Sequence, residues 1–469
     1  MKGKYAAITL ALLTIMEAHS AKHAPRLVVG ITIDQLRADY LEAFSQLYGQ
    51  NGFRRLMAQG YVFEAASYPF EPVDLSSASA TLSTGAAPFY HGIVGDSWID
   101  RQTLLPVGSV ESQGGSTAAH MKTSTIGDEM KVASNGQSIV YGVAASKEAA
   151  VLSAGHAADA AIWMDNGTGR WRTSPYYGPK QPEWIAAYSS LSPARAEEGE
   201  ATNDEVAGLA LQAVRSAAMG KDEYPDLLCI TLSAKVGGSG SRSAWHAQAE
   251  STYMQLDNTI GRIVDGVLAE VGADNALFVV TSTGHADETE GDLSKYRVPT
   301  GTFYINRTAN LLNIYLGSIY GQGRYVDACI GNEMYLDHKL IEQKRIGISE
   351  IQARAQELLV QSAGVADVFT TERLMSGGQG TGLLRNGFNV SVSGDIIIRV
   401  SPGWKLLNED TGETFTSRAA YMPFPIIFYG VGVQAGRNSQ PATVDRIAPT
   451  IAKSIRIRAP NASNSAPLF

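Results

Sequence analysis

Two cysteines in 469 residues, Cys229 and Cys329, are too few for a disulfide framework or a cysteine-rich metal site. Cys229 lies inside the apolar run Leu227-Leu228-Cys229-Ile230, where a small buried hydrophobe is the ordinary role. Histidine is scarce as well: there are eight, and none falls between His338 and Phe469. Any metal would have to rest on histidine and carboxylate. Positive charge is outnumbered, 38 Lys and Arg against 46 Asp and Glu, a net charge of −8. A general nucleic-acid binder needs a basic face, so that class is excluded. No apolar run approaches the length of a membrane-spanning helix. Nothing repeats at a period of 20 to 50 residues, and no Gly-x-Ser-x-Gly elbow announces a serine hydrolase.

What is present is a globular composition, 44% apolar and 18% charged. The length suits one large domain with a lobe, or two to three ordinary domains. At the N-terminus, Lys2 and Lys4 precede an apolar stretch from Ala6 to Ile15, and Ala18-His19-Ser20-Ala21 offers small residues for cleavage. This pattern predicts a signal peptide over residues 1–21 and export to a bacterial periplasm or cell surface.

Short continuous apolar runs recur at Leu27–Ile33, Ile139–Val143, Leu227–Leu232, Ala276–Thr281 and Ile426–Tyr429. Such runs need cover on both faces, and helical segments between them supply it. They predict a three-layer α/β/α sandwich with a mainly parallel sheet. Tyr253, Leu256, Ile260, Ile263, Val264, Val267 and Leu268 form one helical stripe, which Gly272 can end. From Thr302 to Leu374 the pattern changes to a strand near Glu333–Leu336 and a helix from Ile348 to Gln361. That predicts a smaller inserted α+β lobe over 302–374, with the core in 22–301 and 375–469. The Gly-rich stretch Ser376 to Gly382 lacks the context of a phosphate loop and reads as a flexible connection.

Leu27 to Leu41, with a buried strand ending in Asp34, is followed by Gly52-Phe53-Arg54-Arg55-Leu56 and Gly60-Tyr61-Val62-Phe63. Thr84-Gly85, Pro88, His91-Gly92-Ile93-Val94-Gly95, Trp98 and Asp100 come next. Downstream lie Ala154-Gly155-His156, Ala160 to Trp163, Leu232-Ser233, Pro402-Gly403-Trp404 and Pro425 to Gly430. Together these resemble bacterial zinc-dependent phosphate-monoesterases of the alkaline phosphatase superfamily, and the related type I phosphodiesterase and nucleotide pyrophosphatase group.

The resemblance implies a two-zinc site with a Thr or Ser nucleophile. Its metal ligands and nucleophile largely fail to carry over. Asp34 matches the first aspartate ligand. The nucleophile falls on Leu75, an Asp-x-x-x-His loop on Ala234 to Gly238, and a paired Asp-His on Thr283-Gly284. The last histidine is expected near Thr414. The asparagine that donates to bound phosphate falls on Asp96, and the Lys-x-Arg clamp on Ser146-Lys147-Glu148. Asp96, Ser146 and Glu148 therefore mark the matching phosphate site, with a negative charge introduced at Asp96 and the arginine's charge reversed at Glu148.

Candidate substitutes remain. His285, Asp287 and His246 are shifted metal ligands beside Asp34, although Asp34 can equally cap a loop and His246 can be a solvated surface residue. Ser76, Ser77, Ser79 and Thr81 are fallback nucleophiles, or simply hydroxyls at a helix start. His91 and His156 read as structural. These replacements predict an exported, catalytically inactive homologue of a two-zinc phosphatase, without cofactor, kept as a binding or structural component for an unidentified protein or envelope partner. The alternative is a divergent zinc-dependent phosphomonoesterase or phosphodiesterase with shifted ligands.

Overall fold

A computed structural model describes residues 24–179, 181–191, 201–236, 242–285, 299–378, 380–416 and 423–469. The expected signal peptide and Asp287 lie outside the described residues.

At the centre is a ten-stranded mixed sheet. Five parallel strands form its middle, in the order Ala276–Ser282, Leu27–Asp34, Asp226–Ser233, Val140–Ala144 and Ala160–Asp165. Phe424–Gly430 adds antiparallel to Ala276–Ser282, and Tyr61–Ser67 antiparallel to it in turn. All seven residues of Ala276–Ser282 are buried, as its unbroken apolar sequence requires.

Alternation along the Leu27 strand shows how the two faces are covered. Leu27, Val29, Ile31 and Ile33 pack into one core with Tyr253, Leu256, Ile260, Ile263, Val264 and Val267 of the helix Arg242–Val271. Val28 points the other way, into a core shared with the helices Leu75–Thr84, Lys147–Ala154 and Ile447–Ile455. Gly272 does end the long helix, at a φ of +83°. The result is the expected α/β/α sandwich.

A four-stranded sheet in the order Val326–Ile330, Glu333–Leu336, Ile396–Val400 and Val365–Thr370 builds the lobe, beside a three-stranded sheet of Gly301–Tyr304, Trp404–Leu407 and Thr414–Thr416. Its core includes Leu312, Leu316, Ile351, Leu359 and Ile398. The lobe expected over 302–374 thus shares its sheets with strands after residue 375. That pairing was hidden in the sequence because Ile396–Val400 is as apolar as a central strand of the main sheet. The Gly-rich stretch leads into a short helix, Gly382–Gly387. Arg101 ties the two units, reaching Asp395 at 3.0 Å and the Ser393 carbonyl at 2.6 Å.

Among the described residues, no helix is long and apolar enough to cross a membrane.

Candidate functional site

Open α/β sheets place their sites at the carboxyl ends of their strands. Asp34 is the last residue of its strand there, in register with Ser233. The Ala234 amide donates to the Asp34 carbonyl at 2.8 Å. From the neighbouring strand, Thr283 Oγ1 donates to Asp34 Oδ1 at 2.7 Å and accepts the Gln35 amide at 3.0 Å. Gln35 itself holds a φ of +60°, unusual for a residue with a side chain. His285 Nε2 lies 3.7 Å from Asp34 Oδ1, and the imidazole is almost fully buried. Tyr68 closes the floor, its hydroxyl donating to the Ser282 carbonyl at 2.9 Å. Burial, then the Asp34 charge, holds that phenol well above its ordinary pKa.

Asp34, Ala234, Thr283 and His285 therefore converge. His246 stands elsewhere, exposed on the long helix, its ring edge-on to Phe44 at 5.6 Å. No contact joins it to Asp34 among those the structure gives. Among the described residues, no three His, Cys, Asp or Glu side chains are placed to hold one metal ion.

The second edge is built on the start of the helix Leu75–Thr84. Leu75 is its first residue, half-buried against the helical core. Asp74 caps it: Oδ1 accepts the Ser77 amide at 2.8 Å and the Ser77 hydroxyl at 2.6 Å, and Oδ2 accepts the Asp96 amide at 2.8 Å. Asp74 was not singled out from the sequence, though Asp-x-x-Ser before a helix is a capping signal.

Each fallback nucleophile already has a structural bond. Ser76 Oγ donates to Asp96 Oδ1 at 2.6 Å and lies 3.1 Å from Ser109 Oγ. Ser79 Oγ donates to the Leu75 carbonyl at 2.7 Å. Thr81 Oγ1 meets His91 Nε2 at 3.0 Å. The other His91 nitrogen accepts the Ile93 amide at 3.1 Å. One nitrogen must then be unprotonated, and burial pushes the ring down to about 3. His91 is a neutral strut.

His156 is the opposite case. Nδ1 faces Asp128 Oδ2 at 2.8 Å and Nε2 faces the Met121 carbonyl at 2.9 Å. Two acceptors favour a ring with two N–H donors, and the bond to Asp128 raises the His156 pKa despite burial. Asp128 is lowered even though burial opposes it, chiefly by that bond.

Around the phosphate-matching positions the field is negative. Ser146 Oγ caps its own helix through the Ala149 amide at 3.3 Å. Lys147 Nζ is taken by Glu111 at 2.8 Å, a residue not singled out from the sequence. Burial raises the Glu148 pKa, and the charges of Asp96 and Glu111 add to the rise against the pull of Lys147. Burial and then the Asp96 charge push Asp74 up to about 7, against the three donors it accepts.

Comparison with known proteins agrees with this architecture. The pattern of the type I phosphodiesterase / nucleotide pyrophosphatase family matches residues 28–422. Alkaline phosphatase PafA of Elizabethkingia meningoseptica is 24% identical, over 95% of this chain and 94% of its own. Alkaline phosphatase PhoV of Synechococcus elongatus is also 24% identical, over 99% and 98%. The crystal structure of wild-type PafA superposes with a TM-score of 0.82 at 22% identity, covering 95% of this chain and 98% of that one. The chain belongs to the type I phosphodiesterase / nucleotide pyrophosphatase family, within the alkaline phosphatase superfamily.

Proposed function

We propose that this chain is an exported member of its family that has lost hydrolytic chemistry and serves as a binding or structural component. The observation that carries the reading is Leu75 at the first turn of its helix, with Ser76, Ser77, Ser79 and Thr81 all committed to hydrogen bonds. A nucleophile needs a lone pair on oxygen, sulfur or nitrogen and a means of activation such as a base or a metal. Leucine offers neither.

Zinc does not fit the described residues. A catalytic zinc takes about three protein ligands, and here Asp34 and His285 are the two candidates brought together, with Thr283 already donating to the Asp34 oxygen nearest the imidazole. The phosphate side opposes a dianion. Asp96 stands at the asparagine position, and Glu148 at the arginine position of the clamp. Preorganised donors normally stabilise transition-state charge in such sites, and these carboxylates work against it. The relatives PafA and PhoV are named as alkaline phosphatases, so a phosphoric ester hydrolase is the activity to test against.

The second reading is a divergent hydrolase. One observation favours it: His285 was read from the sequence as a shifted ligand beside Asp34, and it lies within 3.7 Å of it. Metal analysis of protein purified without chelators and then dialysed separates the two. The inactive reading expects at most one zinc per chain and no turnover of aryl phosphate mono- or diesters with zinc supplied. Two zincs per chain, with turnover abolished by Asp34→Ala, would overturn it.

A further inference from the structure

The chain segments on either side of the Leu75–Thr84 helix are gripped by one stretch of the lobe, residues 383–399. Before the helix, the Glu71 amide donates to the Leu383 carbonyl at 3.2 Å, and Asn386 Nδ2 donates to the Pro69 carbonyl at 2.8 Å. Arg399, on the lobe strand Ile396–Val400, pairs with Glu71 Oε1. Gly387 permits this approach, since a Cβ there would lie 2.2 Å from the Glu71 carbonyl oxygen. After the helix, Asn389 Nδ2 donates to the Phe89 carbonyl at 3.0 Å.

A further grip falls on the hairpin of Ser97–Ile99 and Pro106–Gly108, whose foot is Asp96. Arg101 divides its fork between Asp395 Oδ2 and the Ser393 carbonyl, with the guanidinium 5.1 Å from the centre of the Tyr335 ring. The Tyr335 hydroxyl accepts the Ile99 amide at 3.4 Å, and its ring packs with Ile99 and Ile330. The Asp395 side chain is 4% exposed. Burial opposes its charge, yet bonds from His338 and Arg101 hold the carboxyl below its usual range. Removing the partner of a buried charge is costly, so Arg101 is firmly seated. Between the gripped segments lie the bonds that close the edge, from the Asp96 amide to Asp74 Oδ2 and from the Ser76 hydroxyl to Asp96 Oδ1. Burial and then the Asp96 charge raise the Asp74 carboxyl. The junction therefore brings two repelling groups together and needs a hold from outside.

We infer that the lobe is a clamp on the Leu75 edge, holding the loop at residues 69–74 and the foot of the Ser97–Ile99 hairpin together across Asp74 and Asp96. Whatever shifts the lobe opens that junction, and whatever strengthens the junction seats the lobe, because such coupling is reciprocal. Arg101 and Gly387 are its positioning residues, one holding the hairpin and the other admitting the loop. The clamp rests on contacts away from Asp34, so it stands whether or not the protein hydrolyses esters.

Amide hydrogen exchange of the full chain, read by mass spectrometry, tests it. Arg101→Gln loosens the hairpin grip, and Gly387→Ala wedges the loop away from the lobe. Each should raise exchange over residues 74–84 and 94–99 by about tenfold and leave the Leu27–Asp34 strand unchanged. Arg101→Lys keeps the charge beside Asp395 but loses the fork, and should recover part of the protection. Should Gly387→Ala fail to fold, Arg399→Gln releases the same loop and carries the same expectation. Arg307→Gln removes an ion pair within the lobe, to Glu409 at 2.6 Å, and should change neither segment. Unchanged exchange over 74–84 and 94–99 in the Arg101→Gln variant overturns the inference. So does a rise that extends equally to the Leu27–Asp34 strand, or an equal rise from Arg307→Gln.

Discussion

The two edges of the candidate site are built in different ways. At the Asp34 edge, the first carboxylate is kept and an imidazole lies 3.7 Å away, too far for a hydrogen bond. At the Leu75 edge, the polar residues are held in structural bonds: Asp96 accepts from Ser76 and donates its amide to Asp74, while Ser146 caps a helix. The difference teaches how position in the fold decides what a carboxylate bonds to. A carboxylate beside a helix N-terminus finds backbone N–H groups and hydroxyls at once. A carboxylate at a strand end, with threonine and alanine replacing its neighbours, gains one hydroxyl and keeps its shape.

The largest expected effect tests whether the Leu75 edge is structural. Asp74→Ala removes the helix cap and the acceptor of the Asp96 amide, and should destabilise by about 2 kcal/mol. Asp34→Ala, which frees only Thr283, should cost about 1 kcal/mol. Urea denaturation of both variants checks the order. Equal losses, or a larger one for Asp34, would break the comparison.

A pH series sharpens it. Asp74 has a folded pKa of about 7, above its unfolded value, so it is protonated in the fold where the unfolded chain is ionised. Its contribution is complete at low pH, below the unfolded carboxylate pKa, and is lost as pH rises through about 7. Asp96→Asn removes one cause of the shift, so the fall in stability between about pH 4 and 7 should flatten. A variant with the wild-type slope would show that the two carboxylates do not interact.

His156 and Asp128 give a smaller effect of mixed sign. The raised His156 pKa contributes stability that is present below the unfolded histidine value and lost as pH rises through the folded one. The lowered Asp128 pKa contributes above the unfolded carboxylate value and is lost as pH falls through its folded value. Their joint contribution is greatest between those limits. His156→Gln should lower stability near pH 5.5 by about 1 kcal/mol, and less near pH 8. Melting curves at both values check it.

The smallest effect is expected at the position that first drew notice. Leu75→Thr places a hydroxyl where the resemblance puts the family's nucleophile, at a half-buried site. It should change stability by less than about 1 kcal/mol and restore no turnover of aryl phosphates with zinc supplied. Turnover from this variant alone would show that a working metal site survives at the Asp34 edge.

Some parts of this molecule were legible in order along the chain. The central strands announced themselves because burial on both faces leaves no room for polar alternation. The helix Arg242–Val271 was legible from its stripe. His91 and His156 were read as structural, and their hydrogen bonds explain why. The lobe's extent was obscure, because strand partners far apart in the chain, such as Gly301 and Trp404 or Glu333 and Ile397, leave no local mark. Asp74 and Glu111 escaped notice for the same reason: their partners Asp96 and Lys147 come from other loops.

By itself the sequence determined the α/β class, since that follows from residue identity and local order. It also determined that Leu75 cannot be a nucleophile, because side-chain chemistry does not depend on the fold. Only the tertiary structure decided which groups meet. Parallel strands, joined through long crossovers, bring Asp34 beside Thr283 and His285 across some 250 residues of chain. Helix packing turned Asp74 and Asp96 into partners. Proximity of this kind is set by how the layers bury their apolar faces, and no run of neighbouring residues encodes it.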